Sequence, residues 1–187
     1  MAWTAIIGPE EAQGELKELY DALEARGITL TAEFLGVYTQ EPGILRWLTA
    51  GLKPGYGATA IDTTLTQMIA TVVSVVNGCG NCTAIHGALM RRMLKDDALS
   101  DQIMEDYTQA PLEPAVRAAL DYAVKVTREP RRVTEADVQR LREAGYTDQQ
   151  IVDVAHVAAW FNYVNRIALG LGTQLRTEAG TRSGGGG

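Results

Sequence analysis

Two cysteines and a histidine carry the chemistry open to this sequence. Cys79 and Cys82 stand three apart, and His86 follows four residues on, in the run Asn77-Gly78-Cys79-Gly80-Asn81-Cys82-Thr83-Ala84-Ile85-His86. On a helix these positions stack on one face over two turns. Cys79 is expected in the first turn, where free N–H groups and the helix dipole stabilise a thiolate. Cys82 and His86, one turn apart, let an imidazole take the thiol proton or hold the thiolate as an ion pair. A second thiol one turn away can resolve a sulfenic acid into a disulfide. The residues admit three readings: a redox dithiol, a zinc site still needing a fourth ligand or an open position, and two small buried hydrophobes. A bridge across three residues closes too small a loop to staple a fold, which favours redox chemistry.

The elements that hold these residues read as helix after helix. Pro9-Glu10-Glu11 is expected to open the first, with Leu16, Leu19, Tyr20 and Leu23 as its apolar stripe and Gly27 as its stop. Short helices follow near Ala32–Tyr38 and Gly43–Leu52, and Lys53-Pro54-Gly55-Tyr56-Gly57 is a break. Asp62 or Thr63 caps a helix running to about Val76. Its Val72-Val73 and Val75-Val76 pairs would suit a strand, but about fourteen residues is long for one. Asn77-Gly78 ends it, and the cysteine helix runs on to about Leu94, with Leu89 or Met90 and then Met93 continuing its inward face. Further helices are expected near Ser100–Tyr107, Glu113–Arg128 and Thr134–Ala144, the last opened by a capping box at Thr134-Glu135-Ala136-Asp137. The final helix runs from Thr147-Asp148-Gln149-Gln150 to about Leu171. The class is all-α.

On the helix before the cysteines, Thr63, Gln67, Thr71, Ser74 and Gly78 share one face, which turns either to the thiol pocket or to water. His156, alone in an apolar helix, reads as a hydrogen-bonded core residue. Arg166 reads as one half of a structural ion pair, or as a group that orients an anionic substrate or the catalytic helix. Trp160, Phe161 and Val164 join Ile151, Val154 and Ala158 to make the last helix apolar nearly all round, which points to a subunit interface.

The chain has 187 residues, 46 % hydrophobic and 21 % charged, which fits one folded domain and excludes a disordered chain. With 17 basic and 23 acidic residues, its net charge of −6 lacks the basic footprint of a nucleic-acid binder. The basic cluster Arg128, Arg131 and Arg132 reads as a solvated loop or an anion contact. No apolar run is long enough to span a membrane. With no export signal and two cysteines, a reducing cytoplasm is the expected setting. The domain is expected over residues 1–176, with 177–187 as a flexible Gly-rich tail.

A helix ending Val-Val-Ser-Val-Val-Asn-Gly, followed by Cys-x-x-Cys-x-x-x-His, resembles the alkylhydroperoxidase D-like branch of the carboxymuconolactone decarboxylase superfamily. The run Trp160-Phe161-Asn162-Tyr163-Val164-Asn165-Arg166-Ile167-Ala168 is similar to the phenylalanine–asparagine and asparagine–arginine signature of its peroxidase-related subgroup. The openings Gly8-Pro9-Glu10-Glu11-Ala12 and Gly14-Glu15-Leu16, and the stretch from Thr134 to Tyr146, fit as well. The resemblance covers the chain to about Arg176. It implies an all-helical homo-oligomer (dimer, trimer or hexamer) and a thiol peroxidase or disulfide reductase without metal or flavin. A dihydrolipoyl- or thioredoxin-type thiol would re-reduce it. It also implies roles: Cys82 attacks the hydroperoxide, the more exposed Cys79 resolves, and His86 belongs to the proton relay. The relay glutamate, twelve residues before the first cysteine, is replaced by Gln67, and Asn81 stands where histidine or tyrosine is usual. These departures leave a second expectation open, a non-catalytic scaffold or binding protein that has kept the fold and lost the relay.

Overall fold

The computed structural model describes residues 2–27, 33–50, 56–58 and 60–173, and among them every regular element is helical. In chain order these are α1 (Gly14–Glu24), α2 (Glu33–Gly36), a 3₁₀ turn (Val37–Gln40), α3 (Pro42–Ala50), α4 (Thr63–Val76), α5 (Gly80–Leu94), α6 (Asp97–Asp106), α7 (Pro114–Arg128), a 3₁₀ turn (Pro130–Arg132), α8 (Glu135–Glu143) and α9 (Asp148–Gly170). The chain falls into two compact units, one from residues up to Arg46 together with the segment from Leu171, the other Trp47–Gly170. The Gly-rich tail, Lys53–Gly55 of the expected break, and the expected helix limits at Ala32 and Leu52 lie outside the described residues.

In the first unit, Leu16, Leu19 and Leu23 are buried along α1, as their spacing predicts. The helix starts later than Pro9. The N–H groups of Glu11 and Ala12 both bond back to Gly8 O, closing a single turn, and Gln13 is then extended (φ −129, ψ 161). Proline and acids suit that turn as well as they suit a helix.

In the second unit, α4 is the central element, packed by α5, α7 and α9. Asp62 caps it, its Oδ1 accepting from Leu65 N at 2.9 Å. Every residue from Leu65 to Ser74 is buried. Burial of a side chain such as Ile69 or Val73 contributes about 1.5–3 kcal/mol, which outweighs the weak helix propensity of its β-branched residues. The buried hydroxyls of Thr71 and Ser74 bond within the helix, to Gln67 O at 2.8 Å and Ala70 O at 2.7 Å. Gln67, Thr71 and Ser74 of the polar face therefore turn inward, away from water, while Thr63 is half-buried and Gly78 exposed.

Asn77 ends α4 and Gly78, at φ +69, turns the chain into α5. The inward face of α5 runs through Cys82, Gly87 and Met90, while Met93 is 38 % exposed and does not continue it. At Gly87 a β-carbon would meet Met104 Sδ at 2.6 Å, so the glycine lets α6 approach α5 closely. α6 begins earlier than its composition suggests, because Asp96 Oδ1 accepts from Leu99 N at 2.9 Å and caps it. The expected capping box opens α8: Asp137 accepts from Thr134 N at 2.7 Å. The same carboxylate receives Lys125 from α7, at 2.7 Å, and Arg140. Its pKa falls to about 2, first through Lys125 and then through Thr134. Arg128, the last residue of α7, and Arg131 and Arg132, on the 3₁₀ turn after it, are all exposed, and Arg132 pairs with Glu129.

The candidate active site

Cys79 and Cys82 form a disulfide, with Cα atoms 5.3 Å apart. Cys79 does not occupy the first helical turn. It is the N-cap of α5, with non-helical φ −83 and ψ 85, and it is the more deeply buried of the pair, 1 % exposed against 8 % for Cys82. Both findings correct the expectation, and they share a cause. Cys79 N–H donates to Ser74 O at 2.9 Å, which draws the residue back under the end of α4. Cys82 is the residue inside the first turn, where the helix dipole acts, and His86 stands four residues on.

His86 lies on the next turn of α5, and helical side chains lean over the turn N-terminal to them. Its Nδ1 is 2.9 Å from Gln67 Oε1 of α4. An amide oxygen only accepts, so Nδ1 carries the proton and Nε2 keeps the lone pair. Rings enclose the imidazole: Phe161 meets it edge to face at 4.6 Å between centroids, and Tyr56 at 5.9 Å. This burial pushes the His86 pKa down to about 4. At neutral pH the ring is an uncharged base.

Sequence reasoning missed Tyr56. Its hydroxyl is 3.4 Å from His86 Nδ1, and its ring contacts Phe161 at 4.9 Å and stacks on Trp160 at 6.2 Å. Burial raises its pKa, against a hydrogen bond with the Gln67 side chain that lowers it. The only local signal was the Pro54-Gly55-Tyr56-Gly57 break. What places the residue is α9, a hundred residues away in sequence. His156 Nε2 donates to Tyr56 O at 2.8 Å, and Asp153 Oδ2 accepts from Ala60 N at 2.6 Å. His156 is therefore hydrogen-bonded as expected but exposed rather than buried in the core.

α9 also meets the corner between α4 and α5. Asn77 Nδ2 donates to Asn162 Oδ1 at 3.1 Å and to Asn165 Oδ1 at 2.9 Å. Arg166 is exposed and donates to Asn162 O and Asn162 Oδ1, at 2.8 and 2.6 Å. No ion pair is found for it among the described residues, which replaces the expected salt bridge. Asn81, between the cysteines, has a buried Oδ1 that lacks a hydrogen-bond partner.

Fold and site together define an all-helical protein with a Cys-x-x-Cys disulfide at a helix N-terminus and a neutral histidine one turn on. Residues 42–129 match the model of the carboxymuconolactone decarboxylase family. No protein of curated function matches the sequence. Among solved structures, the chain is similar to the alkylhydroperoxidase AhpD core of an uncharacterized peroxidase-related protein from Ralstonia eutropha. Identity is 26 %, the TM-score is 0.81, and the match covers 95 % of this chain and 93 % of that one. A peroxidase-related protein from Silicibacter sp. is 29 % identical, with TM-score 0.78 and coverage of 92 % and 91 %. The debrominase Bmp8, solved as a cysteine-to-alanine variant with 2,3,4-tribromopyrrole, shares the fold at 18 % identity, TM-score 0.73 and 95 % coverage of each chain.

Proposed function

We propose that this chain is a thiol-dependent peroxidase of the alkylhydroperoxidase D-like kind, working as a homo-oligomer. Reduced Cys82 gives its proton to His86 Nε2, and the thiolate attacks the terminal oxygen of a hydroperoxide. The O–O bond breaks, Cys82 becomes a sulfenic acid, and the imidazolium returns its proton to the departing alkoxide. Cys79 then attacks the Cys82 sulfur, forming the disulfide and releasing water. Two thiols and one hydroperoxide become one disulfide, one alcohol and one water. An external dithiol of the dihydrolipoyl or thioredoxin class restores the starting state.

One observation carries this reading: a closed Cys79–Cys82 bridge whose second sulfur shares a helical turn with an uncharged imidazole. Gln67 does not undo it. A glutamine cannot take a proton onward, but its oxygen still holds Nδ1–H, and the cycle needs only one proton carrier, which collects the proton from Cys82 and hands it to the leaving group. The test is a steady-state peroxidase assay with dithiothreitol, dihydrolipoamide and thioredoxin as donors, beside thiol titration with one equivalent of hydrogen peroxide. Loss of two thiols with turnover is expected. No loss from the folded, reduced protein leaves the scaffold reading in its place.

A further inference from the structure

The asparagine–arginine run of α9 takes no part in the chemistry above, yet its hydrogen bonds reach the resolving cysteine. Asn165 is fully buried and bonded at both ends of its amide: Oδ1 accepts from Asn77 Nδ2, and Nδ2 donates to Ser74 Oγ at 3.1 Å. The backbone carbonyl of the same Ser74 accepts Cys79 N–H. Asn162 Oδ1 takes the second bond from Asn77, and its own Nδ2 donates to Thr127 Oγ1 at 2.9 Å. Arg166 closes the set from the solvent side through Asn162. A connected path thus runs from an exposed guanidinium to the corner that holds Cys79.

The two cysteines differ in how they are held. Cys82 belongs to α5 and its hydrogen-bond ladder. Cys79 stands at its edge: its C=O accepts Thr83 N–H at 2.9 Å, but its own N–H goes back to Ser74 O of α4, so its corner is held from both sides. Removing a bond from Asn77, two residues earlier, therefore loosens Cys79 more than Cys82. We propose that Asn77, Asn162 and Asn165 are positioning residues for Cys79. They keep its sulfur within bonding reach of Cys82 and so set the dithiol–disulfide equilibrium of the pair. The inference rests on the dithiol being redox-active, as proposed above, but not on peroxide being its substrate.

The test is exchange with dithiothreitol. The protein disulfide and reduced dithiothreitol give the protein dithiol and the oxidised ring; one S–S bond breaks, one forms, and two electrons with two protons pass to the protein. Wild type, Asn77→Ala, Asn165→Ser and Leu141→Ala are equilibrated over a range of reduced-to-oxidised ratios, alkylated, and counted by mass spectrometry. Leu141, in α8 and 1 % exposed, serves as a destabilised control remote from the corner. Asn77→Ala and Asn165→Ser are expected to favour the dithiol about tenfold, a rise of ~30 mV for a two-electron couple. Leu141→Ala should melt earlier with its equilibrium within about twofold of wild type, since lost core packing alone does not move the couple. Asn77 is half-buried at a right-handed helix end that alanine can adopt, so this variant carries the test if Asn165→Ser does not fold. A shift below threefold in Asn77→Ala, or an equal shift in Leu141→Ala, overturns the proposal. No peroxide enters the assay, so absence of peroxidase turnover and absence of this shift are separate results.

Discussion

Gln67→Glu puts a carboxylate where an amide oxygen now stands 2.9 Å from His86 Nδ1. In the native protein, burial holds that imidazole at a pKa of about 4. Coulomb attraction at this distance, with an effective dielectric constant of 20, is at most about 6 kcal/mol. Gln67 is 4 % exposed, so desolvation of the new charge takes back several kcal/mol. The net rise should fall in the range of about 1–3 units that a close opposite charge produces. Each unit multiplies the thiolate–imidazolium population about tenfold while that population is small. The carboxylate also repels the thiolate, so a gain near tenfold in Cys82 reactivity is expected. The chain has only two histidines, so the His86 ring proton is readily followed by NMR across pH. Alkylation of Cys82 in a Cys79→Ser background, with peroxidase turnover per folded molecule, reads the rate. If His86 still titrates near 4 in a folded variant, the contact does not couple the two groups and the reasoning fails.

The cysteine mutants should differ in kind. Cys82→Ser abolishes the first reaction with peroxide, whereas Cys79→Ser leaves one turnover and traps a sulfenic acid on Cys82, detected by dimedone labelling; a label on Cys79 alone in the converse mutant inverts the roles. Acid should destabilise the native protein through His86. The ring takes its proton at about 6.5 when unfolded and at about 4 when folded, so stability present above 6.5 is lost as pH falls towards 4, by about 3 kcal/mol in all. Urea unfolding at pH 7 and pH 4.5 checks this, and equal midpoints would contradict it. Tyr56→Ala opens the ring enclosure to water and should raise the His86 pKa by about one unit or more towards its free value; an unmoved NMR titration would show that Phe161 and α4 exclude water without it. The six apolar residues of α9 that pointed to an interface, Ile151, Val154, Ala158, Trp160, Phe161 and Val164, are all buried within the chain, so the expected interface shifts to Val152 and Leu169, 65 % and 46 % exposed: light scattering at micromolar concentration should give a mass above the 20.2 kDa of one chain. A monomeric mass removes the oligomer from the proposal.

Much of the architecture was legible locally. The α4 reading rested on length and on a cap at Asp62 or Thr63, a signal that operates within a few residues, and the structure gives the cap to Asp62. The capping box of α8 was legible for the same reason. Boundaries failed where a local signal serves two structures, as at Pro9-Glu10-Glu11. Cys79 failed differently. The i, i+3, i+7 pattern tells which residues share a face once a helix exists, but not where the helix begins, and the bond from Cys79 N–H to Ser74 O leaves that residue as the cap.

Residue types and short spacings thus determined an all-helical chain, a dithiol at the start of a helix, and a histidine one turn beyond it, because capping and helical periodicity act over four residues or fewer. The tertiary structure alone decided which cysteine lies deeper, that Gln67 holds the imidazole tautomer, that Tyr56 covers the ring, and that α9 grips the corner before Cys79. The first follows from the start of α5 folding back on the end of α4, five residues away, and the other three depend on contacts between residues 19 to 100 positions apart. Burial belongs with them: the His86 pKa follows from rings supplied by other segments of the chain, and desolvation is a property of the packed neighbourhood rather than of any motif.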